Sequence, residues 1–143
     1  MKKAVVFLLV ALAIPTSVAL AKKPAGTHGK SNPRVMYVLK GTLSSYHAAT
    51  ADAPGSISIT VTHSNYHGRL LRNAGTLVFT TTMNTRVTFK HSTMNQIVDG
   101  NKGIVKFRGP LMRHTSDTPL ALATTLMGTV KVSHIVDQSR HSG

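Results

Sequence analysis

The chain has 143 residues, with 17 Lys and Arg against four Asp, no Glu and no Cys, for a formal charge of +13. That composition excludes disulfide scaffolds, cysteine nucleophiles, cysteine-ligated zinc and acidic calcium loops, because the thiols or clustered carboxylates they need are missing. A hydrophobic share of 41% argues against a disordered polycation and suits one domain with a core of its own.

Lys2 and Lys3 precede an unbroken apolar run from Ala4 to Ile14, Pro15 breaks it, and Ala19-Leu20-Ala21 offers small residues where a signal peptidase cuts. The pattern predicts a secretory signal peptide over residues 1–21. The apolar run is too short to span a hydrocarbon core of about 30 Å. No Cys follows it and no Arg pair precedes it, so the general secretory route is expected rather than a lipid anchor or the twin-arginine route. Cleavage would remove Lys2 and Lys3 and leave a formal +11. No later run is long enough to cross a membrane. The expected location is periplasmic, cell-wall associated or extracellular.

Residues 22–33 are rich in Gly, Ser and Pro and read as a flexible lead-in. A β domain is expected over 34–137, with a disordered tail at 138–143. Alternation begins with Val35, Tyr37, Leu39 and Leu43 on one face and Lys40, Thr42 and Ser44 on the other. It is cleanest over Ser56–Thr62, where Ile57, Ile59 and Val61 face one way. Further strands are expected over 76–83 (Leu77 and Phe79 inward), 86–91 (Val87 and Phe89), 103–108 (Val105 and Phe107) and 129–136 (Val130, Val132 and His134). Turn residues separate them at Ala53-Pro54-Gly55, Ser64-Asn65, Asn73-Ala74-Gly75 and Asp99-Gly100-Asn101. One helix is expected over 119–126, with Thr118 or Asp117 as its cap and Pro119 in its first turn. The fold class expected is all-β: a small five- or six-stranded OB-like antiparallel barrel with one short helix before the last strand.

Gly41-Thr42-Leu43, the ISITVT run from Ile57 to Thr62, Asn84-Thr85-Arg86-Val87 and the DGNKGIVKFRG run from Asp99 to Gly109 follow one another in the chain. This order resembles small exported bacterial domains of unknown function with OB-like five-stranded barrels, over roughly Val35 to Val136. The likeness lies in the strand pattern and carries no catalytic signature, so it implies a fold and no reaction. Asp99-Gly100 reverses the Gly-Asp order of those domains, and the segment from Pro110 to Leu126 is longer than theirs.

The four carboxylates offer little catalytic pairing. Asp52 and Asp99 precede turn glycines, Asp117 is a helix-cap candidate, and Asp137 is expected in the tail after the last strand. A glycosidase pair is not expected, and no G-x-S-x-G nucleophile elbow is present, so the chain is read as a non-enzyme, with a small hydrolase as a remote third reading. His63 and His67, four apart around Ser64-Asn65-Tyr66, are the alternative: two ligands of a histidine-based metal-binding exported protein. No third ligand adjoins them, and no cofactor is expected.

The cations are more informative. Lys40, Arg86, Lys90, Lys106, Arg108 and Lys131 fall on outward phases, and Arg69, Arg72 and Arg113 fall in loops. An OB-like order would bring Lys40 toward Lys106 and Arg108, and Arg86 and Lys90 toward Lys131. With almost no acids to pair them, these residues predict a positive field and a surface for an anionic envelope polymer or lipid. Lys40, Arg69, Arg72, Arg86, Lys90, Lys106, Arg108 and Lys131 are the candidate anion-binding residues. Phe79, Phe89 and Phe107 are expected inside and only Tyr46 and Tyr66 in loops, so sequence-specific nucleic-acid recognition is not expected. Protonation of eight histidines would raise the mature charge to roughly +19 and tighten anion binding at acidic pH.

Overall fold

The computed structural model describes residues 33–91, 95–113 and 118–140. The expected signal peptide, the lead-in up to residue 32, Asp117 and the end of the tail lie outside the described residues, as do His28, His114 and His141.

Six strands form one sheet: β1 (Arg34–His47), β2 (Gly55–Ser64), β3 (Thr76–Thr81), β4 (Arg86–Phe89), β5 (Lys102–Pro110) and β6 (Val132–Asp137). A 3-10 turn, Arg69–Leu71, joins β2 to β3, and a helix, α1 (Pro119–Thr129), precedes β6. The expected β-rich fold with one short helix before the last strand is what the chain adopts. The order across the sheet is β3-β2-β1-β5-β6-β4.

The long β1 serves two neighbours. Leu39–His47 pair with β2 and Arg34–Thr42 with β5, so the middle of the strand is shared and must bend. Gly41 sits in that overlap, opposite Gly103 of β5. A Cβ on Gly41 would collide with the carbonyl of Thr60, so β2 can cross this closely only where β1 has no side chain.

The expected antiparallel barrel is corrected in one pairing, and it does not close. β4 and β6 run parallel, with Arg86 beside His134 and Phe89 beside Asp137. The reason lies in the turn after β3: the Thr85 hydroxyl donates to the carbonyl of Val132 at 2.7 Å. That bond starts β4 beside the beginning of β6, and both strands then proceed in the same direction. Closure is also incomplete, because β3 meets the chain before β6 only through the isolated bridge Thr80–Lys131.

The inner faces supply the core. Tyr37, Leu39, Leu43, Ile57, Ile59, Leu77, Phe79, Val105, Phe107 and Ile135 are fully buried or nearly so. Each such side chain contributes roughly 1.5–3 kcal/mol. Phe107 lies at the centre, its ring 5.1 Å from that of Tyr37 and 4.7 Å from that of Phe79. α1 begins as expected, with the Thr118 hydroxyl accepting the amide of Ala121, and runs three residues beyond the expected end at Leu126. It buries Ala123 and Leu126 against β3, β5 and the 3-10 turn. Its threonines, Thr124, Thr125 and Thr129, return their hydroxyls to carbonyls four residues back, which satisfies them without an outside partner.

Candidate anion-binding face

The outer face of β1, β5, β6 and β4 carries the basic residues. Val38, Lys106, His134 and Arg86 lie abreast across the four strands, in paired registers Val38–Lys106, Lys106–His134 and Arg86–His134. Lys40 is two residues further along β1, opposite Ile104. Thus Lys106 and Arg86 flank one histidine. Like charges this close across a sheet destabilise it, and no described carboxylate stands among them.

His134 reaches this face through a β-bulge. Its phase with Val130 and Val132 predicts an inward ring, but Lys106 pairs with His134 and the next residue, Phe107, pairs with Val132. Ser133 is the extra residue, and its hydroxyl donates to the carbonyl of Lys106 at 2.9 Å. One inserted residue reverses the face of everything that follows. The imidazole Nε2 sits 2.9 Å from the Thr88 hydroxyl. Partial burial is the largest cause that lowers the His134 pKa from 6.5, followed by the charges of Lys106 and Arg86. The acid-driven gain of charge expected for all eight histidines is therefore delayed at this one.

A second bulge shapes the β1–β2 edge. Lys40 pairs with His63 and Gly41 with Val61, which leaves Thr62 as the extra residue. Thr62 and His63 consequently both face solvent, next to Lys40. The Thr62 hydroxyl donates to the Lys40 carbonyl at 3.2 Å, and Nδ1 of His63 lies 3.2 Å from the same hydroxyl oxygen. A cavity of about 400 Å3 follows, lined by Lys40, Thr42, Thr62, His63, Lys102 and Gln138 with the backbone of Gly41 and Gly103.

The other predicted cations divide into two groups. Arg108 continues the outer face of β5 and is exposed. Lys90 follows the end of β4, its amide donating to the Asp137 carbonyl at 2.9 Å. Lys131 stands before β6, at the bridge to Thr80. Arg69 holds its guanidinium 4.3 Å above the ring of Tyr66. Arg72 donates to the Ser64 hydroxyl and carbonyl at 3.0 and 2.9 Å, tying down the end of β2. Arg69 in the 3-10 turn and Arg72 just after it thus already have local partners.

His63 and His67 line separate cavities. His63 faces Lys40, whereas His67 lies with Tyr66, Arg69, Leu70, Leu111, Met112 and Arg113 around a space of about 310 Å3. Nδ1 of His67 is shut off from solvent with no hydrogen-bond partner. Among the described residues no three His, Cys, Asp or Glu side chains gather as metal ligands. The carboxylates differ from expectation at one position. Asp52 and Asp99 are exposed in turns, but Asp137 is the last residue of β6 and fully buried. Tyr46 also differs: it belongs to β1 and packs on the core, which leaves Tyr66 as the exposed Tyr or Phe among the described residues.

Lys102 escaped the sequence reading, which begins the strand at Gly103. The signal was present, since Gly103, Val105 and Phe107 point inward and one step back along the same alternation turns Lys102 outward. Among the described residues no helix is long and apolar enough to cross a membrane. No family model, no curated protein and no solved structure matches the chain.

Proposed function

We propose that this chain is a non-catalytic binding or structural module of the bacterial envelope, exported by the general secretory route. Its basic outer face engages an anionic partner, namely a phosphate-bearing glycan, a lipid headgroup surface or another polyanion. One observation carries the reading: Lys106 and Arg86 stand in register on either side of His134, and their charges add to partial burial, the largest cause, in lowering its pKa. A histidine disfavoured as a cation by charged neighbours as well as by burial is in keeping with a positive field, and no described carboxylate stands among them. An OB-like arrangement is part of the proposal. It is supported by β1 pairing with both β2 and β5, and by the parallel course of β4 and β6. The exposed aromatic Tyr66 is occupied by Arg69, which favours a polymer read by charge over one read by base stacking.

The test follows the His134 ring by NMR through a pH titration, with and without polyphosphate at low salt. A bound polyanion would offset Lys106 and Arg86 and raise the His134 midpoint, and added salt would reverse the effect. An unchanged midpoint at low salt, together with salt-independent retention on a phosphate-bearing matrix, would overturn the proposal.

A further inference from the structure

Beside that face, and resting on the reading just given, we propose a discrete site for a phosphate monoester in the cavity between Lys40, His63 and Lys102. Three strands supply it. Lys40 of β1 lies directly opposite His63 of β2, and Thr42, two residues on, pairs with Lys102 of β5. Cross-strand and diagonal neighbours stand about 5 and 7–8 Å apart at Cβ, so two ammonium groups and one imidazole can close on a single tetrahedral group.

The surrounding groups complete the cradle. Thr42 adds a hydroxyl and Gln138 an amide, while the Thr62 hydroxyl is taken up by the Lys40 carbonyl and the His63 ring. Gln138 is held there because its backbone amide donates to the Lys102 carbonyl at 2.8 Å, while the Lys102 amide donates to the Ser139 hydroxyl at 2.8 Å. The nearest acid in sequence, Asp137, is buried and accepts from Asn101 and from the Ser139 amide. Its charge is therefore already committed, and no carboxylate lines the cavity.

His63 adds a proton-dependent contact. The hydroxyl proton of Thr62 is spent on the Lys40 carbonyl, so Nδ1 of His63 must donate to the Thr62 oxygen. Nε2 is then left as the free ring nitrogen, an acceptor when the ring is neutral and a third donor to the oxyanion once protonated. The charged groups facing it in the cavity are Lys40 and Lys102. A phosphate monoester accepts from both lysines, and hydrogen bonds between charged partners are the strong ones.

The full chain is titrated with glycerol phosphate while the backbone amides are followed by NMR. Saturable shifts at Thr42, Thr62, Gly103 and Gln138 are expected. Lys102→Gln and Lys40→Gln should each weaken binding about tenfold, while Arg113→Gln, the same charge change in the loop after β5, should leave it within about twofold. Vesicles containing phosphatidic acid, competed by inorganic phosphate, distinguish a headgroup from a soluble ester, and either source supports the site. Equal losses in Lys102→Gln and Arg113→Gln, or shifts spread without saturation over β5, β6 and β4, would overturn the discrete site and leave the basic face standing. Failure of the wild-type chain to bind polyphosphate in a salt-sensitive way would instead remove the face itself.

Discussion

The buried carboxylate of Asp137 accepts the side-chain amide of Asn101, and this contact fastens the end of β6 to the turn that leads into β5. The second carboxylate oxygen takes the backbone amide of Ser139 at 2.8 Å. A buried acid is tolerated only when its oxygens are supplied with donors. Asp137→Ala strands those donors inside the protein and should cost about 3 kcal/mol. Asp137→Asn keeps one carbonyl oxygen for Ser139 and should cost less. Urea midpoints at unchanged m-value check both, and a loss below about 0.5 kcal/mol for the alanine variant would contradict the account.

Tyr37 links the two ends of one strand pair. Its buried hydroxyl donates to the Pro110 carbonyl at 2.6 Å and accepts the Met112 amide at 3.0 Å. Tyr37→Phe keeps the ring on Phe107 but leaves both backbone groups unpaired, an expected loss of about 1–3 kcal/mol. Burial raises the phenol pKa from 10.0, only partly opposed by the Met112 amide. Above pH 10.0 the unfolded chain therefore releases the proton first, and stability falls as pH rises toward the folded value. The alkaline slope of wild type should be steeper than that of Tyr37→Phe, as read from denaturation midpoints.

The lowered pKa of His134 gives the opposite pH dependence. Below pH 6.5 the unfolded ring takes a proton while the folded ring, partly buried and facing Lys106 and Arg86, still resists it. Stability present above pH 6.5 is thus lost as pH falls through the folded value, and the loss then levels off. Lys106→Gln removes one of the causes. It should move the NMR midpoint of His134 upward and flatten the acid slope, and an unmoved midpoint would contradict the assignment of the Lys106 charge.

Much of this architecture was legible in the sequence because period-two alternation records which face is buried. Ile57, Ile59, Leu77, Phe79, Val105 and Phe107 all lie inside as the alternation predicts. What alternation cannot record is an inserted residue. Ser133 turns His134 outward, and Thr62 turns His63 outward beside Lys40, in strands whose residue types give no local warning. Strand direction was also hidden, although the OB-like order places β1 beside β5 and β4 beside β6. The parallel course of β4 depends on the Thr85 bond to Val132, 47 residues away, and the burial of Asp137 depends on Asn101 from another turn. For the candidate site, the outward phase of Lys40 and Lys106 was readable, whereas its junction with Lys102 and Gln138 needed the register.

The end of β1 is shaped by a strained residue. Ser45 has φ of 49° and lies where the register with β2 slips between Ser44 and His47. A side chain in this left-handed region costs about 1–2 kcal/mol, and Asp99 offsets part of it by accepting the Ser45 amide at 2.7 Å. The same turn returns the Gly100 amide to the Leu43 carbonyl and the Asn101 carbonyl to the Leu43 amide, so the kink and the 98–101 turn hold each other. Ser45→Gly relieves the steric cost but gives the unfolded chain about 0.5–1 kcal/mol of extra backbone freedom. A net stabilisation of about 0.5 kcal/mol is expected. Ser45→Val places a β-branched side chain at the same φ and should destabilise by at least about 1 kcal/mol. Asp99→Ala should cost about 1 kcal/mol in either the wild-type or the glycine background, because the backbone N–H survives both substitutions. Thermal melts of the four variants decide the point: if valine is tolerated as well as glycine, the left-handed kink does not govern this end of the strand.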